Sequence, residues 1–306
     1  MTTQVFGHKS PDTDSTGSPI VWAWYLNEVK GVAAAPKLLG EPNTEALFML
    51  ERWNLDKPEI IDGVEAGAPV VIVDTNNPAE LPEGINDADI TAIIDHHKLV
   101  GGLETKGPID ITIRPLACTA TIMYDLMDDD AAKMPEAVKG AALTCILSDT
   151  LEFRSPTTTD RDREVVAALA GELGIDVSAY AAEMFAAKSD VSAFSDAELI
   201  RMDSKEYAVD GTKFRVSVLE TTAPEIPLNR KDSLMETYKT VQAEDGVDEV
   251  LLFVVDILKE EATLLVPNDL VKGVAEKSFG ATVEGDLVVL PGIMSRKKQI
   301  IPNLKV

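Results

Sequence analysis

The sequence predicts an α/β protein with a mostly parallel-sheet N-terminal domain and a smaller α+β C-terminal domain. The apolar runs 70–73 and 91–94 each stop at an aspartate, and amphipathic stretches separate such runs, as in parallel sheets. Later in the chain, two alternating segments flank Asp210-Gly211, which is typical of a β-hairpin. A chain of 306 residues also exceeds the size at which one hydrophobic core usually keeps growing, so we expect two domains.

Further sequence signals predict helices in the first domain, strands in the second and a linker between them. Helices are predicted at 135–147, at 158–173 with Gly174 as the stop, and after Asp14 and Ser15. The segments DEVLLFVVDI and EATLLVP predict further strands in the second domain. Periodicity fades in KSDVSAF, so we place a linker at 188–194, between a domain at 1–187 and another at 195–306.

The amino-acid composition indicates which binding partners and which cellular compartment to expect. A formal charge of −24 repels nucleic acid and anionic membranes, so we expect neither as a partner. No apolar stretch approaches the roughly 20 residues of a membrane span, and the N-terminus lacks a signal-peptide pattern. The two cysteines, Cys118 and Cys145, have no CxxC spacing and suit a reducing compartment. We therefore expect a cytoplasmic protein.

All three histidines of the chain lie beside aspartates, in GHKSPDTDS at 7–15 and DHH at 95–97. Neutral imidazole and ionised carboxylate together suit a divalent ion such as Mn²⁺. The candidate ligands come from separated loops, and they are His8, Asp12, Asp14, Asp74, His96 and Asp149. Six ligands are too many for one ordinary site and suit two ions that share a bridging carboxylate.

Each motif alone has an ordinary structural interpretation. Pro11, Asp14 and Ser15 favour a turn and a helix N-cap, and Asp149 suits a loop after a helix. Polar residues are also common at strand ends, where Asp74 lies. The joint occurrence of the motifs is what favours a metal site.

The motifs GHKSPDTDS, VDTNN, DHHK, LSDT and SRKKQ, in this order, resemble those of the family II inorganic pyrophosphatases of the DHH phosphoesterase superfamily. The similarity spans essentially the whole chain. The resemblance implies an inorganic diphosphatase (EC 3.6.1.1), a phosphoric anhydride hydrolase that converts pyrophosphate to two phosphates through a metal-bridged hydroxide. It also implies an active site in the cleft between the domains, and a homodimer.

The resemblance also implies roles for particular residues. One metal ion would be held by His8, Asp12 and Asp74, and the second by Asp14, Asp74, His96 and Asp149. Asp74 would be the bridge, His97 would be the catalytic proton donor, and Asp95 would orient the histidines. The substrate-binding cations would be Lys205, Arg296 and Lys297. Two Mn²⁺ per subunit are expected, with Co²⁺ or Mg²⁺ possible in their place, and further Mg²⁺ arrives with pyrophosphate.

The sequence leaves three alternative functions to consider. A DHH-type nuclease acting on short oligonucleotides shares the N-terminal motifs but has a histidine-containing C-terminal motif, and no histidine follows His97 here. An exopolyphosphatase of the same superfamily typically has Asn in place of His8. A non-catalytic metal- or phosphate-binding module would need no cationic SRKKQ segment, which is otherwise explained as an exposed basic patch.

Overall fold

Two compact units, Met1–Ala187 and Lys188–Val306, make up the chain. The computed structural model describes residues 1–188, 191 and 194–306, apart from the side chains of Lys297 and Lys298. Four residues of the predicted linker, namely 189, 190, 192 and 193, lie outside the described residues.

The N-terminal unit contains a six-stranded sheet in the order β3-β2-β1-β4-β5-β6, and every pairing in it is parallel. The strands are β1 Thr3–Phe6, β2 Ala34–Leu38, β3 Glu59–Ile60, β4 Pro69–Val73, β5 Asp89–Asp95 and β6 Asp110–Ile113. Val70 to Val73 are buried because β4 lies inside the sheet. The chain order reverses between β1 and β4, and such a switch point is where open α/β sheets bind ligands. The predicted parallel α/β fold is confirmed.

Six helices accompany this sheet: α1 Thr13–Glu28, α2 Thr44–Arg52, α3 Thr119–Met127, α4 Glu136–Thr150, α5 Asp160–Leu173 and α6 Val177–Lys188. Helix α1 packs on α4 and on β1 and β2. The two helices approach closely at Gly17, where a Cβ atom would overlap the Cys145 sulfur. This packing brings the first turn of α1 near the end of α4.

Two helix ends differ from the sequence expectation. Helix α1 begins at Thr13, so its N-cap is Asp12 and Asp14 lies in the first turn. Helix α4 continues to Thr150, so Asp149 lies in its last turn instead of in a following loop. Both differences place the carboxylates on helices, where the backbone fixes them more firmly than a loop would.

The C-terminal unit contains a mixed five-stranded sheet in the order β11-β10-β9-β8-β7, in which only β8 and β9 pair in parallel. Its strands are β7 Ser204–Val209, β8 Thr212–Thr221, β9 Glu249–Asp256, β10 Glu261–Leu265 and β11 Leu287–Pro291. The helices are α7 Asp196–Met202, α8 Glu225–Leu228, α9 Lys231–Asp245, α10 Asp269–Phe279 and α11 Ile301–Asn303. Residues of β9 alternate between two apolar clusters, one on each face of the sheet, so the strand is buried throughout.

The predicted hairpin is confirmed at β7 and β8. Asp210 and Gly211 both have positive φ, 50° and 84°, as a two-residue type I′ turn requires. This hairpin carries Lys205 on its first strand.

No single helix in the described ranges is long and apolar enough to cross a membrane. Helices α5 and α6 pass that test only as a pair, and they are bent by 99° relative to each other.

Candidate metal centre

The candidate ligands gather at the carboxyl ends of three neighbouring strands. His8 follows β1, Asp74 follows β4, and His96 follows β5. Asp74 has a positive φ of 57°, a conformation that is uncommon outside glycine and is concentrated at functional sites. The strand order therefore brings together residues that are far apart in the sequence.

The loop between β1 and α1 is fixed by the start of the helix. The Asp12 side chain caps α1 by accepting a hydrogen bond from the Ser15 amide at 2.9 Å. Ser15 Oγ in turn accepts a hydrogen bond from the His8 amide at 2.7 Å. A side chain at Gly7 would overlap Ser15 Oγ, so glycine is needed for this approach.

A first group of donors consists of His8, Asp12 and Asp74. His8 Nε2 lies 3.5 Å from Asp74 Oδ2 and 3.6 Å from Asp12 Oδ2. The ligand atoms of the three residues all lie within 4.8 Å of one another, which is close enough for one ion to contact them all.

A second group of donors consists of Asp14, His96 and Asp149. His96 Nδ1 lies 3.3 Å from the Leu116 carbonyl oxygen, which leaves Nε2 facing the carboxylates. Asp14 is held by two donors, Ser18 Oγ at 2.6 Å and the Thr119 amide at 2.7 Å. These contacts fix the directions in which the ligand atoms point.

Asp74 connects the two groups. Its Oδ2 faces His8 at 3.5 Å, and its Oδ1 lies 3.3 Å from His96 Nε2. Thr119 Oγ1 donates a hydrogen bond to Asp74 Oδ1 at 3.3 Å, and Asp74 is only 1 % exposed. One oxygen on each side is the arrangement that a carboxylate needs to bridge two cations.

The centre concentrates buried negative charge. Burial raises the pKa of Asp74 well above its usual range, and the nearby Asp14 and Asp12 carboxylates raise it further. Burial and the Asp14 carboxylate likewise raise the pKa of Asp149. For His8, burial lowers the pKa, but the Asp12 and Glu80 carboxylates together raise it, and the net shift is upward.

The donor set fits divalent cations. Asp149 Oδ2 is buried and has no hydrogen-bond partner among the described residues, an arrangement that a cation would complete. The mixture of carboxylate oxygens and imidazole nitrogens suits Mn²⁺. The six predicted ligands thus lie in two groups of donors, and Asp74, which belongs to the first group, also groups with His96 and His97, so the cluster could hold two ions.

His97 lies beside this centre without being enclosed by it. Its Nδ1 is 2.9 Å from Asp95 Oδ1 and 3.9 Å from Asp74 Oδ1, and about half of its side chain is exposed. The hydrogen bond to Asp95 raises the pKa of His97. Burial opposes ionisation of Asp95, but hydrogen bonds from His97 and Asn76 lower its pKa overall.

Two of the predicted substrate cations lie together in the C-terminal unit. Lys205 and Arg296 line a cavity of about 630 Å³. Arg296 opens a π-helical turn, Arg296–Ile300, and donates to Asp203 Oδ1 at 2.7 Å and to the Asp203 carbonyl at 2.6 Å. The Lys297 side chain lies outside the described residues.

Several residues that support the candidate site were not predicted from the sequence. Thr119 contacts both Asp14 and Asp74 from the start of α3, and Asp203 holds Arg296. Nothing in the local sequence marks Thr119, because it reaches the site through the packing of α3. Asn76, by contrast, could have been found from the sequence, because it stands two residues after Asp74 in the motif VDTNN.

Two known domain families match this chain and define its class of protein. The chain matches the DHH family N-terminal domain over residues 2–149 and the DHHA2 domain over residues 182–306. It is therefore a two-domain protein of the DHH class, which agrees with the parallel sheet and the acidic histidine-containing centre.

Relatives that match over their full length identify the family within the DHH class. A Deinococcus radiodurans protein named "probable manganese-dependent inorganic pyrophosphatase" is 40% identical over 98% of this chain and 97% of its own. An Archaeoglobus fulgidus protein of the same name is 37% identical over 98% and 96%. The chain belongs to the family of manganese-dependent, or family II, inorganic pyrophosphatases.

Two solved structures agree in fold. A Methanococcus jannaschii protein assigned to the family II inorganic pyrophosphatases has 34% identity and a TM-score of 0.64, with 99% of this chain and 98% of that chain covered. An exopolyphosphatase-related protein from Bacteroides fragilis has a TM-score of 0.51 at 11% identity, with 98% and 89% covered. The second match shows the fold alone.

Replacing Asp149 by Asn tests the charge balance of the centre. A carboxyl group whose pKa is raised by folding destabilises the folded state once the pH exceeds the ordinary pKa of the unfolded chain, because folding must then either take up a proton or bury the charge. We therefore expect metal-free D149N to melt about 2–4 °C above the metal-free wild type at neutral pH, the shift that ~1 kcal/mol produces in a domain of this size.

The same variant should lose affinity for Mn²⁺, because it lacks one anionic ligand. Differential scanning calorimetry of metal-stripped protein and Mn²⁺ titration calorimetry measure the two effects. Wild-type Mn²⁺ affinity in D149N would contradict a ligand role for Asp149.

Proposed function

We propose that this chain hydrolyses inorganic pyrophosphate to two phosphates with two Mn²⁺ ions bound at the candidate metal centre. The observation that carries the proposal is the placement of Asp74, whose two oxygens face two separate groups of ligand atoms. The names of the full-length relatives support the same activity and the same metal.

We assign the ligand sets from the two donor groups and the family resemblance. One ion would be held by His8, Asp12 and Asp74, and the other by Asp14, Asp74, His96 and Asp149. When bound, the ions supply Lewis acidity, lowering the pKa of a water and offsetting charge on the phosphate oxygens. Co²⁺ or Mg²⁺ can occupy related ligand sets, and the substrate brings Mg²⁺ of its own.

His97 supplies the proton for the leaving phosphate. Its Nδ1 is engaged by Asp95, so the opposite ring nitrogen, Nε2, remains for the substrate. Because Asp95 raises the pKa of His97, a larger fraction of the ring is imidazolium at a given pH than in a free histidine, and this form has an N–H at Nε2.

The C-terminal unit binds the phosphates of the substrate. Lys205 and Arg296 share one cavity, and Asp203 holds the Arg296 guanidinium in place. Arg296 still has further N–H groups for a phosphate, because a guanidinium carries five of them. We assign the third cation to Lys297 from the family resemblance. In this proposal the domain at 1–187 carries out catalysis, the domain at 195–306 clamps the substrate, and residues 188–194 link the two.

We also propose a cytoplasmic homodimer. Strand β6 ends the N-terminal sheet, and Ile111 on it is 56% exposed, which leaves an edge for a second copy. The two cysteines are free thiols, as expected in a reducing compartment, and recovery of the enzyme in a membrane or secreted fraction would contradict this location.

The activity is tested with metal-stripped protein reconstituted with Mn²⁺ or with Mg²⁺ alone. We expect phosphate release from pyrophosphate to be fast and greater with Mn²⁺, and release from tripolyphosphate or a short oligoribonucleotide to be far slower. Faster cleavage of tripolyphosphate would indicate an exopolyphosphatase, and faster cleavage of the oligoribonucleotide would indicate a DHH-type nuclease.

Replacing Lys205 by Ala tests the phosphate clamp. Losing one charge-assisted hydrogen bond to a phosphate should lower kcat/KM for pyrophosphate by about 10- to 100-fold. Lys213 is the matched control, because it is an exposed lysine of the same hairpin that does not line the cavity described for Lys205. Equal losses in K205A and K213A would point to general charge attraction in place of a specific clamp.

Replacing Ile111 by Lys tests the homodimer. Light scattering should give twice the chain mass of 33.0 kDa for the wild type and a single chain mass for I111K, because a buried lysine at the edge strand would be desolvated. A wild-type mass of one chain at micromolar concentration would contradict the dimer.

A further inference from the structure

Asn76 is a buried amide that lies close to the metal centre without being one of its candidate ligands. It is 3% exposed and makes three hydrogen bonds. Its Nδ2 donates to Asp95 Oδ2 at 2.5 Å and to the Lys98 carbonyl at 3.0 Å, and its Oδ1 accepts from the Val100 amide at 2.7 Å. The side chain thereby ties the loop after β4 to the loop after β5.

Through Asp95, Asn76 reaches His97. One oxygen of Asp95, Oδ2, accepts from Asn76, while the other, Oδ1, accepts from both the amide and Nδ1 of His97 at 3.0 Å and 2.9 Å. Asp95 is fully buried, so each of its oxygens needs a donor. The orientation of the carboxylate is set from one side by Asn76 and is passed on to the imidazole on the other side.

His97 has few other restraints. About half of its side chain is exposed, and its second nearby carboxylate, Asp74, is 3.9 Å away. His96, by contrast, is anchored at Nδ1 by the Leu116 carbonyl at 3.3 Å. Loss of Asn76 should therefore disturb His97 more than it disturbs the metal ligands.

We propose that Asn76 is a positioning residue, which holds Asp95 so that the His97 ring keeps Nδ1 on the carboxylate and Nε2 free for the substrate. The proposal rests on the proposed function in one respect, because it assigns the benefit to proton delivery by His97. The positioning itself is a property of the protein that can be measured without substrate.

Asn86 offers a matched control. It ties down the same loop further along, donating to the Gly102 carbonyl at 3.0 Å and accepting from the Glu104 amide at 3.0 Å. Both asparagines thus bridge one carbonyl and one amide of the backbone. Only Asn76 also contacts a carboxylate that holds a histidine.

The experiment compares the variants N76A and N86A with the wild type by kinetics, by metal titration and by nitrogen-15 NMR of the histidine rings. The chain has three histidines, so three ring signals cover them all. Mg²⁺-loaded protein is used for NMR because Mg²⁺ is diamagnetic. In the wild type we expect the His97 Nδ1–H signal of a ring hydrogen-bonded to a carboxylate.

In N76A we expect that signature to be lost, kcat to fall by about 10- to 100-fold, as for other partners that orient site residues, and KM and Mn²⁺ affinity to change by less than about threefold. N86A should resemble the wild type in all of these measurements. An unchanged His97 signature in N76A would overturn the proposal, and so would an equal loss of kcat in N86A.

A second pair of variants keeps the test decisive if N76A folds poorly. N76D retains the shape and the acceptor for the Val100 amide but places a second carboxylate against Asp95. In N76D/D95N the donor and the acceptor exchange places, so one hydrogen bond between the two side chains is restored. The double variant should melt higher than N76D and regain a fixed His97 ring, and a melting temperature no higher than that of N76D would overturn the pairing.

The outcomes also separate the two proposals. If the wild type did not hydrolyse pyrophosphate, the proposed function would fail, while the NMR signatures of N76A and N86A would still decide the role of Asn76. If the wild type were active and N76A kept both its kcat and its His97 signature, only the positioning role would fall.

Discussion

Crowding of buried carboxylates is the constraint on which the rest of the N-terminal unit depends. The buried Asp14 and Asp74, the half-buried Asp149 and the half-exposed Asp12 converge at the carboxyl ends of the central strands, and burial and mutual repulsion raise the pKa values of Asp74 and Asp149. Such a cluster opposes folding unless cations offset its charge. The protein therefore has to hold these groups in place by other means, and the surrounding helices and loops supply those means.

The helices contribute unequally to this task. The N-terminus of α1 is capped by Asp12, and the N-terminus of α3 donates the Thr119 amide to Asp14, so both helix dipoles favour the negative charge. Asp149 lies in the last turn of α4, where the dipole disfavours a carboxylate. Its Oδ2 is also buried without a hydrogen-bond partner among the described residues. A cation bound there would offset both effects.

His96 and His97 are adjacent in the chain but are anchored in different ways. His96 is anchored by a backbone carbonyl and directs Nε2 at Asp74, whereas His97 is anchored by Asp95 and stays half exposed. The two rings lie side by side, with centroids 4.2 Å apart, so their different anchors distinguish them rather than the direction of the backbone. Under the proposed function His96 would bind the metal and His97 would face the substrate, with Asn76 and Asp95 holding the His97 ring.

The sequence by itself determined the fold class and the identity of the candidate ligands. Apolar runs ending at Asp74 and Asp95 indicated parallel strands, and Asp210-Gly211 indicated a hairpin, because these signals come from residues close together in the chain. Only the tertiary structure showed how closely the candidate ligands approach one another. It placed Asp149 inside α4 and put one oxygen of Asp74 on each side, and it brought Thr119 and Asn76 to their partners. These contacts join residues from 19 to 105 positions apart, and local sequence patterns carry no information about such distances.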